Sequence, residues 1–276
     1  MNSIKKMMLS GALGCLISGM AYADGSSPQP VKPYWQDIQV VAVNKEKPRS
    51  SFMSYADRET ALTSRFEKSP YYSLLNGTWK FFFVDSYKDL PQNITDPSVN
   101  TSSWDDITVP GNWEVQGHGV AIYTNHGYEF KPRNPQPPLL PEANPVGVYR
   151  RDIEIPASWD NRDIYLHIGG AKSGLYVYLN GKEVGYSEDS KNPAEFLINK
   201  YLQPGKNVLT LKIFRWSTGS YLECQDFWRM SGIERDVFLW SQPKASIQDF
   251  RVVSTLDDTY TNGIFKLALE IGRAHV

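Results

Sequence analysis

"LYVYLNGKEVGY", Leu175 to Tyr186, decides the fold class. Apolar and polar residues alternate on both sides of Asn180-Gly181, a dipeptide that takes positive φ easily. The pattern predicts a β-hairpin closed by a type I′ turn. Strand signals continue on either side. "DIYLHI" puts Ile164, Leu166 and Ile168 on one face, and "NVLTLKIF" puts Leu209, Leu211 and Ile213 on one face with Thr210 and Lys212 on the other. "VYRRDIEIP" alternates through Ile153 and Ile155 and stops at Pro156, and "LNGTWKFFFVD" carries an aromatic run after Asn76-Gly77. Many short strands separated by turn signals predict an all-β sandwich or jelly roll.

Helical periodicity after Ala23 is confined to "DRETALTSRFEKS", Asp57 to Ser69, which predicts a short helix. "EFKPRNPQPPLLPEANP", rich in proline from Pro132 to Pro145, predicts an extended strap over the surface, because proline cannot donate to a ladder. After Pro243, "SIQDFRVVSTLDD" and "GIFKLALEIG" predict two strands of a second β unit. Two strands alone cannot bury a core, so residues 243–276 are expected to fray without partner strands. The last six residues, "IGRAHV", match what a common sequencing adapter encodes in one frame, so residues 271–276 are expected to be partly or wholly artefact.

Composition excludes several classes. Lys and Arg number 29 against 30 Asp and Glu, so nothing favours a nucleic acid or an anionic membrane surface as partner. The 8 Trp and 16 Tyr suit the apolar faces of sugars, although a sandwich core accounts for them more simply. The first residues carry Lys5 and Lys6, a short apolar run and Ala21-Tyr22-Ala23. That is the layout of a secretory signal cleaved after Ala23, and it predicts export to the periplasm. The run is too short to span a membrane. The alternative is an outer-membrane lipoprotein with Cys15 as its lipidated first residue.

Cleavage at Ala23 leaves Cys224 as the single cysteine, so no intrachain disulfide forms. Glu223 and Asp226 beside it disfavour a thiolate nucleophile. The four histidines, at 118, 126, 167 and 275, lack metal-ligand spacing, and there is neither a phosphate loop nor a nucleophile elbow.

"GSYLECQDFWRMSGIERDV", Gly219 to Val237, breaks the strand pattern with acids, arginines and aromatics side by side. It ends a series of motifs: "WQDIQVVAVNKEKPR", "LNGTWKF", "WDDITVPGNWEVQGHG", "IYTN", "NPVGVYRR", "LNGKEVGYSEDS" and "FRWSTGSYLECQDFWRMSGIERDV". In this order they resemble the N-terminal part of bacterial β-galactosidases of glycoside hydrolase family 2, from about Tyr34 to Leu269. Behind the signal peptide (1–23) and an extended arm (24–70), the resemblance implies a galactose-binding-like jelly-roll domain (71–242) and the truncated start of an immunoglobulin-like sandwich (243–276). It places both catalytic glutamates in a TIM barrel that this chain does not reach, so no catalytic residue is assigned within it.

By motif position, Asp226 matches a carboxylate that binds sodium and contacts the galactosyl unit, and Asn125 matches a second galactosyl contact. From the residues alone, Asp226 would pair with Arg229 or Arg235, Asn125 would be a turn residue before His126-Gly127, and Trp228 would pack. Some family members hold magnesium in the jelly roll through an Asp where this chain has Thr218 and a Gln where it has Glu188. Thr218 is a poor ligand for a hard divalent ion, so magnesium is left to the barrel. The implied activity is retaining hydrolysis of terminal non-reducing β-D-galactosides, by an enzyme that the chain alone would not reconstitute. The alternatives are a non-catalytic jelly-roll lectin and a sibling glycosidase such as a β-glucuronidase; a homo-oligomer stays open.

Overall fold

The computed structural model describes residues 32–130 and 134–272. The signal segment, Cys15, part of the proline-rich strap and residues 273–276 lie outside them. Two antiparallel sheets form the body. The larger has seven strands in the spatial order Ala42–Val43, Lys182–Ser187, Gly174–Leu179, Lys206–Phe214, Val146–Glu154, Gly77–Val84 and Asp105–Val109. The smaller has four: Ala194–Leu197, Arg162–Ile168, Val237–Pro243 and Tyr72–Leu74. Leu209, Leu211 and Ile213 of the large sheet share one buried core with Ile164, Leu166 and Ile168 of the small one. This is the predicted all-β sandwich. Asn180 and Gly181 turn the hairpin with φ of 53° and 78°, the two positive values a type I′ turn requires. The Asn180 side chain also accepts from the Val208 amide at 2.9 Å, tying the turn to the next strand.

The outer face of the large sheet is not left to solvent. Thr210 and Lys212 alternate as solvent-facing residues would, yet that face is covered. Arg150 Nε donates to Thr210 Oγ1 at 3.2 Å, and Lys212 Nζ lies 4.7 Å from the Tyr176 ring centre. The cover is a second apolar cluster in which Trp35 from the N-terminal arm stacks on Phe214 at 4.9 Å, with Ile94 and Trp104 beside it. Seven of the eight tryptophans are buried, at positions 35, 79, 104, 113, 159, 216 and 240, so the aromatic content is chiefly core.

The arm then crosses the sheet edge. Ala42–Val43 pairs with Tyr186 and Ser187, and the Glu46 amide donates to the Glu195 carbonyl. Arg49 meets the Glu195 carboxylate through two bonds of 3.0 and 3.1 Å, and Met53 packs with Tyr165, Phe238 and Trp240 on the outer face of the small sheet. One length of chain thus covers both outer faces. The helix predicted over 57–69 is interrupted. Asp57 caps a single α-helical turn, Arg58–Leu62, and Ser64, at φ 53°, separates it from a 3-10 turn at Phe66–Lys68. Among the described residues no helix is long and apolar enough to cross a membrane.

Ser246–Leu256 and Gly263–Gly272 pair with each other as a two-stranded ribbon. Val252, Leu256, Phe265, Leu267 and Leu269 are exposed on it. The arm tethers its base, with the Ser50 amide donating to Asp249 Oδ1 at 2.8 Å and Phe52 lying 5.5 Å from Phe250. An uncovered two-stranded ribbon is marginally stable. In the isolated chain, amides of Phe250 to Leu269 should exchange much faster than those of Leu209 to Ile213. Equal protection by hydrogen-exchange mass spectrometry would contradict this.

Candidate functional site

The stretch that breaks the strand pattern closes one end of the sandwich. It starts as a 3-10 turn, Thr218–Tyr221, capped by Ser217. The Glu188 carboxylate anchors this turn, accepting from Tyr186 Oη, Thr218 Oγ1 and the Gly219 amide, each at 2.7 Å. Burial pushes the Glu188 carboxyl upward against those three donors. Thr218 and Glu188, the two positions weighed for magnesium, are thus spent on each other. Next, the Glu223 carboxylate takes the Ser190 amide at 3.0 Å and its hydroxyl at 2.6 Å. Gly232–Ile233 pairs with both Gly111–Asn112 and Ala171–Lys172. Gly232 has φ of 115°, and a Cβ there would meet the Gly111 carbonyl at 2.8 Å, so glycine is required.

Between these anchors, Phe227–Arg229 pairs with Ile122–Thr124 as a short antiparallel ribbon in which Phe227 faces Thr124 and Trp228 faces Tyr123. Period-2 alternation survives here, with its exposed side carrying the unusual residues. Arg229 is buried and its Nη1 donates to the Glu223 carbonyl at 2.8 Å. On the other side Tyr123 is 56% and Trp228 53% exposed, with ring centres 5.7 Å apart. Asn125 and Asp226 are the residues next beyond the Thr124–Phe227 pair, and both are exposed. Tyr123 Oη donates to Asp226 Oδ1 at 2.9 Å. That hydrogen bond and the Asp226 charge raise the Tyr123 phenol above its ordinary value, so it stays a donor. Asn125 Oδ1 lies 2.7 Å from His126 Nδ1.

Four side chains therefore share one face: a carboxylate, an amide and two aromatic rings. The structure brings together the two residues singled out from sequence, Asn125 and Asp226. It corrects the ion-pair reading of Asp226 and the packed reading of Trp228. Asp226 makes no ion pair among the described residues. Arg229 points to the opposite side of the ribbon, and Arg235 Nη1 donates to the Lys191 carbonyl at 2.6 Å. Asn125 does sit in the bend before His126-Gly127, as the residues alone suggested, with the positive φ at Gly127. Trp228 lies on the surface against Tyr123 instead of packing inside.

Tyr123 was missed. Its one signal is its place two residues before Asn125, on the same side of the strand. Also missed was the charged support behind the ribbon. Lys172 Nζ lies 3.6 Å from Glu129 Oε1 and 5.6 Å from the Phe227 ring centre, and Trp216 Nε1 donates to Glu129 at 2.7 Å. Burial pushes the Lys172 ammonium down while Glu129 opposes it. Burial also comes first in raising the Cys224 thiol, ahead of the Glu223 carboxylate that sequence reading blamed; its Sγ lies 3.3 Å from the Tyr221 carbonyl.

Residues 72–243 match the family model described as glycosyl hydrolases family 2, sugar binding domain. The chain belongs to glycosyl hydrolase family 2. This family 2 chain is 40% identical over 242 residues to a β-galactosidase of Priestia megaterium, covering 87% of this chain and 23% of that protein. It is 37% identical over 237 residues to a β-galactosidase of Psychromonas ingrahamii, covering 86% and 22%. The chain spans less than a quarter of the length of these curated relatives. Among solved structures, a β-glucuronidase from an uncultured Clostridium sp. superposes with a TM-score of 0.54 at 22% identity, covering 74% of this chain and 34% of that one. A β-glycosidase from Bacteroides vulgatus gives 0.54 at 23% identity, covering 73% and 24%. At that identity the family 2 likeness in structure is one of fold.

Proposed function

We propose that this chain supplies one wall of the galactosyl pocket of an exported β-galactosidase, with Asp226 and Asn125 as sugar contacts. One observation carries the reading. Two residues about a hundred positions apart converge on one exposed ribbon face. Asn125 both donates and accepts, as vicinal hydroxyls require, and Asp226 accepts only. Asp226 fits a sodium ion as well as a hydroxyl, because Tyr123 fills one acceptor position and no cation among the described residues neutralises the rest. Hard cations take such oxygen ligands. A bound sodium would offset the carboxylate charge beside the sugar.

Tyr123 holds Asp226 in place, and Trp228 offers an apolar ring to a sugar C–H face. Retaining hydrolysis further needs two carboxyl groups about 5–5.5 Å apart across the scissile bond, and this reading assigns both to the remainder of the full-length protein. Residues 24–276 alone, shown folded by a cooperative melt, are expected not to hydrolyse a chromogenic β-galactoside, whereas the full-length protein does. Turnover by 24–276 that a carboxylate substitution within it abolishes would overthrow the assignment.

A further inference from the structure

A cavity of about 360 Å3 lies between the arm and the outer face of the small sheet. None of the four ribbon side chains lines it. Its volume falls at the lower end of small-ligand sites, room for one or two pyranose rings. We infer that it is a second sugar-binding site, selective for a neutral pyranoside.

Three features point there. Phe52, Phe66 and Phe238 line the cavity, giving it apolar aromatic surface. Polar groups of both senses accompany them, among them the Asn192 amide and the His167 imidazole. His167 stacks on Phe238 with ring centres 4.2 Å apart, and its Nδ1 lies 2.8 Å from Glu195 Oε1. Burial alone would raise the Glu195 carboxyl, but the His167 hydrogen bond and the Arg49 charge outweigh it and hold the group below its ordinary value. An ionised carboxylate only accepts, so Nδ1 carries a proton and is committed to Glu195, leaving Nε2 as the ring atom that faces a ligand. Nε2 has no hydrogen-bond partner among the described residues, so it is free to hydrogen-bond a ligand hydroxyl, which can donate or accept.

The third feature is charge balance. Basic and acidic side chains around the cavity are equal in number, three of each. Arg49 is committed to Glu195, and Lys45 sits within the field of Asp189. Neither an anion nor a cation finds a surplus of opposite charge. A neutral, hydroxyl-rich ligand with one apolar face matches all three features. The cavity also opens toward a broader groove that shares His167, Phe66 and Phe238, leaving a path for a longer saccharide.

The site is independent of the Asp226 reading, and the test separates them. Full-length protein carrying Asp226→Asn is titrated with D-glucose and methyl 1-thio-β-D-galactoside by calorimetry and saturation-transfer NMR. One saturable site should persist, and adding Ser51→Trp, which fills the cavity rim, or Phe52→Ala should weaken it about tenfold or more. Ser51→Trp in the otherwise unchanged protein should keep its melting temperature and its turnover. Absence of a saturable site, binding indifferent to both substitutions, or tighter binding of D-glucuronate than of the neutral sugars would overturn the inference.

Discussion

Asp226→Asn in the full-length protein is expected to weaken sodium response and galactosyl affinity together, by roughly ten- to two-hundred-fold in the affected constants, with little change in melting temperature. The substitution keeps the side-chain shape, removes its negative charge and turns one acceptor oxygen into a donor. The mild effect on folding follows from position. Asp226 is exposed, and among the described residues its one side-chain hydrogen bond comes from Tyr123 and no arginine depends on it. Had Asp226 been paired with Arg229 or Arg235, the pattern would invert, with stability falling and sodium response unchanged. Kinetics and melting measured on the same protein across a range of sodium concentrations distinguish the two patterns.

Glu195→Ala should act through stability. Glu195 sits at the meeting point of arm and sheet, with Arg49 bonded at 3.0 Å, His167 at 2.8 Å and Trp240 Nε1 at 3.1 Å. Truncation leaves the Arg49 guanidinium, itself 4.3 Å from the Trp240 ring centre, without its carboxylate. Losing one partner of a buried pair costs ~3–5 kcal/mol, and the lower end applies because the arm can peel away and rehydrate. The same group sets a pH dependence. Its folded value is depressed, so its contribution is complete above the ordinary 4.5 and is lost as pH falls through the folded value. Denaturant melts between pH 3 and 7 should show a segment of acid destabilisation that Glu195→Gln removes. A variant as stable as the parent across that range would refute the clasp.

How much of this was legible depends on how local the signal is. The Leu175–Tyr186 hairpin was readable because its alternation and its Asn-Gly turn lie within twelve residues. The buried outer face of the large sheet was not. Alternation places Thr210 and Lys212 on the face away from the core, but their cover, Trp35, lies far away in sequence and leaves no local trace. The Arg49–His167–Glu195 clasp joins three residues with no common motif, so spacing holds no trace of it. At the site, Asp226 and Asn125 were found through motif resemblance, since their spacing carries no signal. Trp228 was misjudged because an isolated tryptophan usually packs inside, whereas here the ribbon register points it outward beside Tyr123.

The central claim is that the exposed face of the Ile122–Thr124/Phe227–Arg229 ribbon forms a wall of the galactosyl pocket. A crystal structure of the full-length protein with sodium and a non-hydrolysed galactoside tests it most directly. The account predicts the galactosyl hydroxyls in hydrogen-bond contact with Asp226 and Asn125, and sodium on the Asp226 carboxylate. A galactosyl unit bound in the active site with that ribbon face turned away from it would contradict the account.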